Sequence, residues 1–280
     1  MIRRNQLTPP VSVVIPAHNE QIYIADAIRS VQSQTCDVLE VIVVDDGSTD
    51  ETALVARRLG ARVIRQDNRG VSAARNTGIR AAVGTWTAFL DADDIWEPEK
   101  IEMQWKLSQR CSKAGVISCD LSLFTEEGIV ESSYFSALGE NYTKIKKLHG
   151  NNDNFQIEKL EDAFFEANWI LFPSTLMVRR DVIQSVELFD ERLRAVEDYE
   201  FIMRVLARYQ LAVVGHPLVR YRVHEGNSHN DQVLMHDSVV QYIELLSSRP
   251  HLYPPSAVRA ANNEIIATLE RYTTNTFYVK

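Results

Sequence analysis

The chain has 280 residues, 45% of them hydrophobic and 24% charged, and carries a formal net charge of −8 from 30 Lys and Arg against 38 Asp and Glu. This is ordinary for a soluble globular protein able to bury a core. The acidic balance argues against broad nucleic-acid binding, whose affinity comes from Lys and Arg on phosphates, so no nucleic acid is expected as a partner.

Cys36, Cys111 and Cys119 show no C-x-x-C spacing and read as small buried apolar residues of a reducing compartment. Met1 to Pro10 lacks the apolar core of a signal peptide, and no run of about eighteen apolar residues occurs. A cytoplasmic protein is therefore expected, with peripheral attachment at the inner face of the membrane left open.

In chain order, Val11 to Ile15 reads as a strand stopped by Pro16, and Ile22 to Gln34 as a helix with Ile22, Ala25, Ile28 and Val31 on one face. Leu39 to Val44 is a nearly all-apolar strand, as parallel pairing covered on both faces requires. Ser48-Thr49-Asp50-Glu51 has the pattern of a capping box, so a helix is expected from there to Gly60. Arg62 to Arg65 is a short strand. Ser72 is expected to cap a helix reaching Ala82, Trp86 to Leu90 is a buried strand, and Pro98 opens another helix ending near Cys111. This alternation predicts a doubly wound, mostly parallel α/β sheet.

After Val116 the pattern loosens. Val116 to Cys119 reads as a strand, Leu121–Phe124 and Ile129–Glu131 flank a turn, and Ser136 to Asn154 reads as a loop that contains the basic cluster Lys144 to Lys147. Helices are expected at Leu160 to Ala167, at Asp198 to Tyr209 with Phe201, Ile202, Val205 and Leu206 inward, and twice in the last forty residues. The expected organisation is a tail over 1–10, a first part over 11–115, a second part of the same domain over 116–230, and a helical extension over 231–280.

Chemistry concentrates where strands end. Asp91-Ala92-Asp93-Asp94 packs three carboxylates behind the Trp86 strand, and Asp45-Asp46 closes the Leu39 strand at the same sheet edge, where open α/β sheets bind ligands. Crowded carboxylates repel unless a cation or donors compensate them. Mg²⁺ or Mn²⁺, bridging to substrate phosphates, is the economical cation. Helix capping explains one such Asp pair but not two on one edge. A receiver domain would need a late Lys-Pro, which the chain lacks. An EF-hand loop counted from Asp91 puts Trp96 at the Gly position.

Four blocks in order then carry a resemblance: Val13 to Glu20 (VVIPAHNE), Val43 to Asp50 (VVDDGSTD), Gly70 to Gly78 (GVSAARNTG) and Phe89 to Asp94 (FLDADD). Together they resemble the family 2 glycosyltransferases, closely over Val11 to Met103 and more loosely over Ser174 to His224. The resemblance implies the A-type glycosyltransferase fold, a Rossmann-like mostly parallel sheet with flanking helices, here with a C-terminal helical extension. It implies an inverting, metal-dependent transferase using a nucleoside-diphosphate sugar, a UDP-sugar foremost, and a saccharide or lipid-linked acceptor.

By the same resemblance, Pro16, Ala17, Asn19 and Glu20 would line the uridine pocket. Asp46 would accept from the nucleobase, and Arg75 would sit near the base or the diphosphate. Asp91-Ala92-Asp93 would be the D-x-D motif, Asp91 towards the ribose and Asp93 on Mn²⁺ or Mg²⁺. Asp94 would be support for the site or a helix cap. Glu197-Asp198 resembles the family's Glu-Asp pair, with Asp198 as general base and Glu197 and Glu200 crowding it to raise its pKa. The macrodipole offers a structural reason for the same acids. Arg220, Arg222 and His224 are expected to share a strand face, with His224 near the metal or the diphosphate. Trp169 and Phe172 fit either an acceptor pocket or core packing. A catalytically inactive sugar-nucleotide-binding protein is the alternative, which would keep Asp46 and lose the base.

Overall fold

Apolar strands and amphipathic helices alternate through the first hundred residues, as the sequence predicts. The computed structural model describes residues 9–140, 143, 154–157, 172–227 and 230–253. The order begins β1 (Val11–Ala17), α1 (Ile24–Gln32), β2 (Glu40–Asp46), α2 (Thr52–Arg58), β3 (Arg62–Gln66), α3 (Val71–Ala81) and β4 (Trp86–Phe89). β3, β2, β1 and β4 lie side by side in that order and pair in parallel. β1 and β4 are buried throughout, which is why their sequences run apolar rather than alternating.

α3 packs on β1 through Gly78, where a Cβ would stand 2.3 Å from Val14 Cγ1. That close approach carries Arg75 and Asn76 into the interior, 2% and 1% exposed.

Beyond β4 come β5 (Ile95–Trp96), α4 (Lys100–Arg110), β6 (Ala114–Thr125), β7 (Gly128–Glu131), α5 (Tyr134–Ala137) and β8 (Asn154–Ile157). A 3-10 turn (Pro173–Thr175), β9 (Met177–Arg179), α6 (Arg180–Val186), α7 (Glu197–Leu206), β10 (Gln210–Arg222) and α8 (Gln232–Ser248) follow. β9 joins the halves: Met177 pairs with Ala88 of β4 on one side and Ile117 of β6 on the other, antiparallel to both. β6 and β10 form the longest ladder and are parallel. The sheet is thus mixed, its long ladders parallel and its antiparallel ones short. A large apolar cluster, including Ile15, Ile28, Phe89, Trp96, Ile117, Met177 and Phe201, packs on it, and a smaller one joins Ile42 and Val44 of β2 to Ala74 and Ala82.

Several local expectations are corrected. β1 runs on through Pro16 to Ala17. The Val14 carbonyl accepts from Leu90 N–H, so residue 16, two further on, faces the same neighbour, and pairing with β4 has already ended at Val14. The missing N–H of Pro16 therefore costs no ladder bond. α1 starts at Ile24, its buried face is Ile24, Ala27, Ile28 and Val31, and Ile22 is 74% exposed.

The capping box does not form. α2 starts at Thr52, whose N–H and hydroxyl both bond Asp50 Oδ1, and Ser48 N–H instead bonds Asp45. Ser72 lies inside α3 behind the N-cap Gly70, its hydroxyl donating to the Leu193 carbonyl. β6 is longer than expected, and the turn to β7 falls where the sequence places it. β5 and β9, two and three residues long, are too short for a readable period.

The helix expected over 160–167, the basic cluster at 144–147, Trp169 and the second C-terminal helix lie outside the described residues. Cys119 is buried, and Cys36 and Cys111 are half-buried, all as free thiols. Among the described residues no helix is long and apolar enough to cross a membrane.

Candidate active site

The chain leaves β4 at Leu90 and turns tightly, with Asp94 N–H donating to the Asp91 carbonyl at 3.1 Å. Ser174 serves both acids: its Oγ accepts from Asp91 N–H at 3.0 Å and donates to Asp94 Oδ2 at 2.5 Å. Asp94 Oδ1 accepts from Arg222 N–H at 3.0 Å, and the side chain is 1% exposed. Burial, then the neighbouring Asp93 and Asp91, holds its carboxyl well above the usual range. Asp94 is no helix cap; it fastens the acid turn to β10 and to the 3-10 turn. Ala92, 5% exposed, packs in the core.

Asp93 is half-buried, its side chain 20% exposed. Its Oδ2 lies 3.0 Å from His224 Nε2, and its carbonyl accepts from Arg222 Nε at 2.9 Å. The Arg222 guanidinium stands 4.6 Å from both the Tyr23 and the Phe124 ring centroids. Arg220 shares the Phe124 face at 6.0 Å, as expected, while His224 falls past the end of β10. Gly226 N–H donates to His224 Nδ1 at 3.2 Å. That nitrogen is therefore the acceptor, and the neutral ring carries its proton on Nε2, facing Asp93. The hydrogen bond to Asp93 is the largest cause raising the His224 pKa.

Pro16 and Ala17 end β1 beside this turn, both within the strand. Asn19 adopts φ 58°, its N–H bonded to Ser48 Oγ and its Oδ1 accepting from Thr49 N–H at 2.8 Å. The carboxyl of Glu20 is pushed up to about 7 by burial first and then by Asp93, which places it at the Asp93 end of the site.

Asp46, 3% exposed, accepts from Gln66 Nε2 at 2.7 Å, Arg69 N–H at 3.0 Å and Gly70 N–H at 2.8 Å. It shapes the loop that opens α3. A carboxylate offers about four acceptor positions, so one remains for a ligand. Next to it Gly47 takes φ 79°, where a Cβ would come 2.8 Å from Asn68 N. Sequence reasoning gave His18 no role; its Nδ1 lies 2.9 Å from the Asp46 carbonyl.

On the opposite bank α7 begins with Glu197-Asp198. The preceding Val196 is left-handed at φ 57°, a conformation that costs a β-branched residue on the order of 1–3 kcal/mol. Asp198 Oδ1 accepts from Tyr199 N–H at 2.7 Å. Burial and then Glu197 push the Asp198 carboxyl up to about 7, with Arg75 pulling the other way. Arg75 donates to Glu197 Oε1 at 2.5 Å and to Asp91 Oδ1 at 2.7 Å.

Arg75 thus bridges Asp91 and Glu197. One expectation is corrected here: Glu200 does not crowd Asp198. Glu200 is held by Arg204 at 2.6 Å and by the Tyr253 hydroxyl at 2.6 Å. The residues that sequence reasoning left without a role are Tyr23, Tyr221 and Asn227, whose Nδ2 lies 3.4 Å from Asp93 Oδ2. Burial first, and then the charges of Asp94, Asp93, Asp91 and Asp198, raise the pKa of the Tyr221 hydroxyl. Phe172, 5.0 Å from the Tyr221 ring and 5.3 Å from Tyr134, backs it.

Among the described residues no three His, Cys, Asp or Glu side chains gather into a closed metal cage. Mg²⁺-type sites commonly take one or two protein carboxylates and complete their shell with substrate phosphates and water. Asp93 fits that pattern, and the upward pull on Glu20 and Asp94 fits a site that gains from a cation. His224 fits less readily. Ligation through Nε2 would move its proton to Nδ1, against Gly226 N–H.

The sequence model of glycosyl transferase family 2 matches residues 12–185. The chain belongs to that family. This glycosyltransferase is 28% identical over 233 residues to an uncharacterized glycosyltransferase of Rickettsia typhi, covering 82% of this chain and 69% of that one. It is 31% identical over 227 residues to the Bacillus subtilis protein named glycosyltransferase EpsH, covering 78% and 62%. In fold it is similar to Staphylococcus aureus TarS solved with UDP-GlcNAc, at TM-score 0.64 and 18% identity over 96% of this chain and 93% of that one. A Pyrobaculum calidifontis mannosyltransferase solved with GDP-Man and Mn²⁺ gives TM-score 0.62 at 18% identity, over 93% and 70%. The A-type glycosyltransferase fold expected from the motifs is the fold of this chain.

Proposed function

We propose that this family 2 glycosyltransferase moves a sugar from a nucleoside-diphosphate sugar, a UDP-sugar foremost, to a hydroxyl of a saccharide or lipid-linked acceptor, with inversion. The observation that carries the reading is the place of Asp198 in the first turn of α7, next to Glu197, which Arg75 ties to Asp91 of the acid turn, with its carboxyl pushed up to about 7. That value suits a general base near neutral pH. Asp198 takes the acceptor hydroxyl proton as that oxygen bonds to the anomeric carbon. The bond to the diphosphate breaks, and the nucleoside diphosphate leaves with the electron pair. A single base and a single displacement give inversion.

On the donor side the remaining acceptor position of Asp46 takes a nucleobase N–H, with Pro16, Ala17, Asn19, Glu20 and Ala92 around the nucleotide and Asp91 towards the ribose. Asp93 would hold Mn²⁺ or Mg²⁺, with His224 keeping its carboxylate in place. A divalent cation there supplies charge stabilisation to the departing diphosphate. Glu197, bound to Arg75, is a positioning group rather than a second base.

The test is a thermal-shift panel of nucleotide sugars with and without Mn²⁺, followed by transfer and binding measurements on Asp198→Asn. Donor binding retained with transfer lost is the expected result. Retained transfer would move the base elsewhere.

A further inference from the structure

We propose that the polar face of α3 is the rail on which the base-bearing segment rests, with Arg75 as the positioning residue that sets the Asp198 carboxylate against the donor side. The proposal rests on Asp198 being the general base.

The geometry comes from one helix face and its lead-in. Arg69 donates to Glu191 at 2.5 Å, Ser72 Oγ to the Leu193 carbonyl at 3.1 Å, and Asn76 both donates to the Phe189 carbonyl at 2.9 Å and accepts from Phe189 N–H at 3.0 Å. Residues 72, 75 and 76 are spaced as neighbours on one side of a helix. Residues 189–193, which lead into α7, are thus laid along α3, and Arg75 then reaches Glu197 itself.

Its second arm reaches Asp91, so one guanidinium joins the acid turn to the base helix. The bridge is costly. Arg75 is 2% exposed, its Nε has no hydrogen-bond partner, and its carbon atom Cζ sits 5.5 Å from the Phe189 ring centroid. Apolar packing often serves stability as well as a buried ion pair does, so stability alone is a weak reason for this one.

What the guanidinium supplies is a positive charge beside the base. The groups that act electrostatically on Asp198 are Glu197 on its own helix, Arg75 from α3, Asp91 from the turn after β4 and Tyr221 from β10, beside its hydrogen bond from Tyr199 N–H. Of these only Arg75 is a cation. Without it Asp198 would face Glu197 and Asp91 with no countercharge and would hold its proton at neutral pH, unable to accept another.

The test reads the Asp198 carboxyl directly, by carbon-13 NMR titration of labelled aspartate in the full chain, with Asp198→Asn identifying the signal. Arg75→Met should raise the midpoint by about 1 unit or more, the usual size for losing an adjacent opposite charge. Arg75→Lys should move it less, and Glu197→Gln should lower it. A folded Arg75→Met protein with an unmoved midpoint overturns the proposal. If Arg75→Met does not fold, an unmoved midpoint in Glu197→Gln overturns it equally. Failure of the general-base reading would appear separately, as transfer retained in Asp198→Asn while these midpoints still shift.

Discussion

Ser174 Oγ donates to Asp94 Oδ2 at 2.5 Å, so a residue 80 positions downstream fixes the shape of the acid turn. The same oxygen receives Asp91 N–H, and Asp94 in turn holds the backbone of Arg222. Ser174→Ala should therefore cost about 1–3 kcal/mol, the range for stranding a buried polar partner. It should also weaken nucleotide-sugar binding, because the turn that carries Asp91 and Asp93 loses its fastening at Asp91 N–H and Asp94. Urea denaturation and calorimetric titration read the two effects. Unchanged donor affinity would confine Ser174 to stability.

The contact between His224 Nε2 and Asp93 divides their labour testably. Asp93→Asn should abolish the gain in nucleotide affinity on adding Mn²⁺. His224→Ala should keep that gain and lower the affinity, since the ring orients Asp93 and does not complete a ligand set. Calorimetry with UDP, with and without Mn²⁺, separates them. Loss of the Mn²⁺ effect in His224→Ala would make the histidine a ligand.

Transfer should rise with pH through about 7, because Asp198 must lose its proton before it can act as a base. Stability has the opposite sign. Glu20 and Asp198 rise on folding from 4.5 and 3.8 to about 7, so each binds its proton more tightly when folded. Their contribution is full below about pH 4 and is lost as pH climbs through about 7. Melting temperature in Asp198→Asn should fall less over that interval than in the unaltered chain.

Gly78→Ala should destabilise by about 1–3 kcal/mol, because its methyl would meet Val14 at 2.3 Å and push α3 off β1. Since α3 carries Arg75, donor binding should weaken along with stability. Chemical denaturation and a UDP titration check both.

The parallel half was legible because buried strands write long apolar runs and the acids stand directly behind them. Val41 to Val44 before Asp45, and Ala88 to Leu90 before Asp91, mark the sheet edge without further help. What stayed hidden was contact between distant segments. Ser174 sits in an unremarkable Pro-Ser-Thr stretch, and its role exists only once β9 folds beside β4. Arg75 was visible as a charge, but its partners Asp91 and Glu197 lie 16 and 122 residues away. The failed capping box at Ser48 shows local chemistry overruled, since its two backbone donors go elsewhere, Ser48 N–H to Asp45 and Glu51 N–H to Gln21 Oε1.

The antiparallel strand β9 makes the fastening of the acid turn by Ser174 a matter of register. Met177 is matched to Ala88 on one side and Ile117 on the other, and Ser174 stands three residues ahead of it. A slip of one residue would carry Ser174 about 3.3 Å along the sheet and turn the flanking side chains to the wrong face. Catalytic geometry tolerates errors of about 1 Å. Insertions and deletions within these three residues should therefore be far less forgiving than substitutions, although none of the three touches the reacting groups.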